Sequence, residues 1–185
     1  MATKITFPPL PPTATHTDIV RHYLRFRRAV IHAELEWFAS RPTFDVLLDE
    51  AVHARDQWGK RLRHQRRLCK HVIPTAYQTL KSHRSALQRA PTFDGLFKLI
   101  DDALGPIPSS GDLYSYDTAL RIGAFLRLYP TRVFLQTGAL TGARNLSRAY
   151  STRSIPLSQF PVQFHVLAPF EMENLLCCYK SNLRP

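Results

Sequence analysis

Between Asp18 and Ser40 the apolar residues Ile19, Tyr23, Phe26, Val30 and Trp37 recur at helical spacing, with Thr17 as N-cap and Pro42 closing the segment. The pattern predicts an amphipathic helix whose other side carries Arg21, Arg25, Arg28 and His32 as one exposed stripe. Residues 55–73 sort even more sharply when wound at about 100° per residue. Arg55, Lys60, Arg63, Arg66, Arg67 and Lys70 then share an arc of about 140°, opposite Trp58, Leu62, Leu68, Cys69 and Val72. This predicts a basic amphipathic helix in which Arg61 snorkels and Gly59 permits a bend near Trp58. A further helix is expected from Thr75 to about Gln88, begun by Pro74.

The strings Pro42-Thr43-Phe44-Asp45 and Pro91-Thr92-Phe93-Asp94 each precede an apolar helical pattern, with threonine as N-cap and aspartate in the first turn. Shared capping chemistry explains the match better than an internal repeat. The helix opened by Thr92 ends near residue 104, and the loop 105–112 leads into a helix at 113–128. That helix is apolar almost all round, with only Tyr114, Asp117 and Arg121 on a polar face, so it is expected to be the buried centre of the fold. Residues 132–137 suit a short strand, 153–168 looks extended, and a closing helix is expected from Pro169 to about Ser181. Residues 1–15, with four prolines and no helical period, read as a flexible arm. The expected fold is therefore mainly α. A single helical domain over 16–185 forms a multi-helix bundle around the buried helix 113–128, with at most a small β element.

Charge changes this picture more than composition does. The 185 residues carry a formal net charge of +11. Residues 53–90 hold ten lysines and arginines against the single acid Asp56, whereas 91–130 hold three against five aspartates. A local excess of this kind makes a binding surface. Arginine forks match phosphate geometry, and neutralising phosphates releases counterions. A merely solvated helix intersperses signs to avoid like-charge repulsion. The leading expectation is nucleic-acid binding, DNA or RNA, in which Arg21, Arg25, Arg28, Lys60, Arg63, Arg66, Arg67 and Lys70 contact the backbone. No base-specific readout is visible. An adaptor role toward an acidic protein partner is the alternative for the same face, followed by an anionic membrane surface with Trp58 and Leu62 inserting.

The second candidate site is Tyr114, Asp117 and Arg121, because ionisable groups on an apolar helix are costly unless used or paired. Tyr116-Asp117-Thr118 with Arg121 is similar to the Asp-Thr-His segment of helix-hairpin-helix base-excision glycosylases. That resemblance implies an enzyme acting on nucleic acid or nucleotide, with the aspartate supporting glycosidic-bond cleavage. Here Ala119 stands in place of the histidine, and the arginine comes one position early. The plain alternative is an i,i+4 ion pair kept for packing. The loop 105–112 reads as a capped interhelical turn rather than a phosphate-binding hairpin. Its glycines, Gly105 and Gly111, stand far apart, and Asp112 takes the cap position. A wider resemblance covers roughly the C-terminal half. GDLYSYDTALRIG, YPTRVFLQTGALTGARNL and LAPFEMENLLCCYK are similar to segments of small bacterial proteins of unknown function, which implies a bacterial intracellular protein and no particular activity.

Other chemistry is sparse. Thr137 to Arg144, with Gly138 and Gly142, reads as a glycine turn, with an anion-binding nest as its functional alternative. The scattered histidines lack metal-ligand spacing, so no metal and no cofactor are expected. Cys69, Cys177 and Cys178 form no paired framework, and no apolar run suits a membrane span or secretory signal. A cytoplasmic protein is expected.

Overall fold

The computed structural model describes residues 7–185, the side chains of Arg63 and His64 excepted. The chain is mainly helical and forms two compact units, one joining the N-terminal residues up to Ile31 to Arg132–Pro185, the other running His32–Thr131. Among the described residues no helix is long and apolar enough to cross a membrane.

In the first unit, Thr15 rather than Thr17 opens the leading helix, α1 (His16–His22). Its side chain accepts from the Asp18 amide, and Asp18 Oδ2 accepts in return from the Thr15 amide at 3.0 Å, a reciprocal capping box. The helical path continues through a π-helical stretch, Tyr23–Arg27, into α2 (Arg28–Ala39). The wider π turn breaks the 3.6-residue register on which the sequence pattern was read. Ile19 and Tyr23 are accordingly buried, while Val30 is 43% exposed.

The buried face of α1 meets elements from the C-terminal part of the chain. There β1 (Val133–Phe134) pairs antiparallel with β2 (Ser154–Ile155), setting Val133 opposite Ile155. Between the strands runs α8 (Thr137–Leu146), and α9 (Pro169–Cys178) closes the unit. The stretch expected to be extended contains two short 3-10 turns, Leu157–Gln159 and Val162–Phe164.

Gly138 and Gly142 lie inside α8 rather than in a turn, so the anion-nest reading does not hold. They are a packing device. A Cβ on Gly142 would stand 2.2 Å from the Leu176 carbonyl oxygen of α9, and one on Gly138 would stand 2.6 Å from Cys177 Sγ. Gly142→Ala should therefore lower unfolding free energy by about 1–3 kcal/mol despite its better helix propensity. Urea denaturation of the two proteins measures this. A gain in stability would show that α8 and α9 can separate freely.

Residues 7–10 of the proline-rich segment run along the same unit. His22 Nε2 meets the Pro8 carbonyl oxygen at 2.8 Å, and Phe7 lies 6.1 Å from Phe26 between ring centroids. Residues 11–15 lead into the Thr15 cap, and residues 1–6 of the expected arm lie outside the described residues.

The second unit contains the C-terminal part of α2 and then α3 (Phe44–His53), α4 (Val72–Ser82), α5 (Arg84–Gln88), α6 (Phe93–Leu104) and α7 (Asp112–Leu126). Thr43 and Thr92 adopt the same extended backbone, φ −143°, and accept from Val46 and Gly95 amides respectively. The capping reading of the repeated string holds. The expected helix 75–88 begins three residues earlier than its sequence signal and is broken at His83 into α4 and α5. Pro74 fits within the first turn of α4, where its missing N–H has no intrahelical partner to lose.

The buried central helix is α7, which packs against α3 and α6. Gly111, at φ +70°, occupies its N-cap position, and Asp112 is its first helical residue. Phe93 and Phe97 of α6 meet the Tyr116 ring edge-on at about 6 Å.

Candidate nucleic-acid interface

The basic helix expected over 55–73 does not form. Its residues instead make a tight hairpin, a 3-10 turn at Arg63–Arg67 and an irregular run into α4. Two local signals override the helical sorting. Ala54 ends α3 in the left-handed conformation, φ 52°, and the Leu62 amide then donates back to the Ala54 carbonyl at 2.7 Å. Within that loop Arg55 and Arg61 form an antiparallel bridge. At the tip, Asp56 Oδ1 accepts from the amides of Trp58 and Lys60 at 3.0 and 2.8 Å, and Gly59 takes φ +70°. Aspartate followed by glycine is turn chemistry, and it outweighs a charge pattern that merely permits a helix.

This geometry displays cations. Lys60, Arg61, Arg66, Arg67 and Lys70 are exposed, and among the described residues none of them forms an ion pair. Asp56 is the one carboxylate in the segment, and it is spent on the turn amides. Arg66 Nε donates to the Arg61 carbonyl oxygen at 3.1 Å, which ties the 3-10 turn to the hairpin. Arg55 is committed elsewhere, 2.8 Å from Asp49 Oδ2. The Arg63 side chain lies outside the described residues.

Gln65 anchors the segment. It is only 2% exposed, and its Nε2 donates to Asp117 Oδ2 of α7 at 2.5 Å. Asp117 is in turn 3.6 Å from Arg121 Nη2. Among the described residues Arg121 is the largest fully buried side chain, held by the Ala51 carbonyl at 3.3 Å, by Glu34 at 3.8 Å and by the Phe38 ring at 5.7 Å. Tyr114 donates its hydroxyl to the Val52 carbonyl at 2.7 Å, and burial pushes the phenol's pKa above the ordinary tyrosine range. Tyr114, Asp117 and Arg121 thus come together, as expected from their spacing. They do so in the interior, with Tyr114 and Arg121 1% and 2% exposed, and what they do there is hold α3, the basic segment and α7 in register.

The remaining predicted residues lie in the first unit. Arg21 is exposed and pairs with Asp18 at 3.1 Å, and exposed Arg25 lies over the Phe26 ring at 5.1 Å. Arg28 reaches inward instead: its Nε donates to Glu171 Oε1 of α9 at 2.7 Å, and the Glu171 side chain is fully buried. Pattern reading places all three on one solvated stripe because the partner that distinguishes Arg28, Glu171, lies 143 residues away.

Two residues of this surface take other places than the helical reading implies. Trp58, assigned to the apolar side, is 65% exposed at the hairpin tip, and Gln65, to which the sequence pattern gives no role, is buried. The Asp56-Gln57-Trp58-Gly59 order was the available signal for the first. Nothing local marks the second. Fold and surface together define a mainly helical chain with a preformed cationic loop. No family model matches this chain, and neither a curated protein nor a solved structure does.

Proposed function

We propose that the protein binds nucleic acid through its phosphate backbone, with Lys60, Arg61, Arg66, Arg67 and Lys70 as the contacting cations. The observation that supports this reading is the concentration of exposed, carboxylate-free positive charge on one short segment that the fold holds in place through Gln65. Self-repulsion within such a loop is relieved when an anionic polymer supplies the counter-charge.

Five phosphate contacts imply a log–log slope of affinity against salt of about −4.5 on duplex DNA. Arg67→Glu with Lys70→Glu should weaken binding to DNA and RNA alike and flatten that slope by about two, without changing the melting temperature. Fluorescence anisotropy with nuclease-treated protein measures both quantities. Unchanged affinity after the double reversal would overturn the assignment. So would retention of an acidic protein by a preparation that binds no nucleic acid.

A further inference from the structure

We propose that the hairpin at 55–61 is a stacking finger: Trp58 receives an unpaired base, and the preferred ligand is a single-stranded segment. The inference rests on the reading of residues 60–70 as a phosphate-contacting surface and adds the class of nucleic acid that surface takes.

Three observations carry it. First, the tip is rigid without help from the indole. Asp56 Oδ1 closes the turn through two amides, Gly59 donates to the Asp56 carbonyl at 2.9 Å, and the Arg55–Arg61 bridge continues the ladder. Trp58 is therefore held out by backbone geometry rather than by packing, and its 65% exposure is a property of the fold. The chain's other tryptophan behaves differently, being half-buried with Arg41 3.1 Å from its ring centroid.

Second, the exposed side chains flanking the indole are cations and a polar residue, the nearby Asp56 carboxylate being turned to the amides of the tip. Gln57, Lys60 and Arg61 are all exposed, so a base laid on the ring carries its own phosphates into a positive field. A continuous duplex keeps its bases stacked on one another and offers the ring only its ends. An unpaired strand offers a face at every nucleotide.

Third, the apolar company that a lipid surface would require is missing. No other exposed large hydrophobic side chain among the described residues falls within 55–71. The amphipathic helix that would have laid Trp58 and Leu62 on a membrane is replaced by a hairpin, with Leu62 bonded back to Ala54.

The test compares a labelled oligothymidylate with a blunt duplex of equal length by anisotropy, from about 50 to 200 mM salt. Trp58→Ala should weaken oligothymidylate binding by roughly tenfold, with Trp58→Phe retaining most of the affinity and the duplex barely affected. The salt slope should stay unchanged, because stacking releases no counterions. Tryptophan emission should be quenched on strand binding in the wild type and not in Trp58→Phe, where only Trp37 emits. Equal affinities of wild type and Trp58→Ala for the single strand, with salt-dependent binding preserved, would overturn the finger and leave the backbone reading standing. Absence of binding to both ligands would overturn both. A blue shift of Trp58 emission on phosphatidylserine vesicles, without quenching by the oligonucleotide, would assign the tip to a membrane and overturn the inference.

Discussion

Arg121→Met should lower the unfolding free energy by about 3–5 kcal/mol, the range expected when one partner of a buried charge network is removed. Methionine replaces the volume but not the guanidinium, so Ala51 loses a donor and the carboxylates of Asp117 and Glu34 lose the cation between them. Asp117→Asn in the same background should recover part of the loss, because it removes a carboxylate that Arg121 had faced. Thermal and urea melts of the single and double variants measure this. A further fall in the double variant would show that charge pairing is not what Arg121 supplies. The experiment also separates the structural role from a chemical one. A site at Asp117 would lose an activity in Asp117→Asn with little change in melting temperature.

Arg28→Ala should cost about 1–3 kcal/mol, because it strips a partner from a carboxylate that has no contact with water, while the Arg28 side chain is itself 44% exposed and solvent replaces part of what it supplies. Arg25→Ala, one turn away and exposed, should cost a few tenths at most. The comparison is a direct measure of how differently two members of one predicted stripe are used. Equal melting temperatures for the two variants would mean that Glu171 finds sufficient compensation without Arg28. The Glu171 carboxylate also accepts from the Ala168 amide at 2.8 Å, so the damage should spread to the start of α9.

What could be read from the sequence follows the range of each interaction. The caps at Thr43 and Thr92 and the apolar helix at α7 depend on residues within a turn or two, and these emerge as expected. The basic segment fails for a local reason of a different kind. Angular sorting of charges is compatible with a helix, yet Asp56 and Gly59 specify a turn, and the turn wins. The exposed lysines and arginines survive that change because exposure depends on charge more than on conformation. Arg28, Gln65 and Arg121 fail or resolve only in three dimensions. Their partners lie 143, 52 and 70 residues away respectively for Glu171, Asp117 and the Ala51 carbonyl. The Gly138 and Gly142 pair was legible in principle. Four-residue spacing of glycines marks a close helix contact as readily as a turn, and the deciding neighbour, Leu176, is again distant.

The division into units also has no compositional marker, since the boundary between Ile31 and His32 falls inside α2. Its order along the chain has a consequence for biosynthesis. The second unit is inserted whole between the two halves of the first. A ribosome therefore releases α1 before the second unit and leaves its apolar face, Ile19 and Val20, with Tyr23 just beyond it, without the strands and helices that bury them until after residue 131. The inserted unit is complete before the enclosing one can close. Nascent α1 is thus the stretch that must be kept from other hydrophobic chains during synthesis.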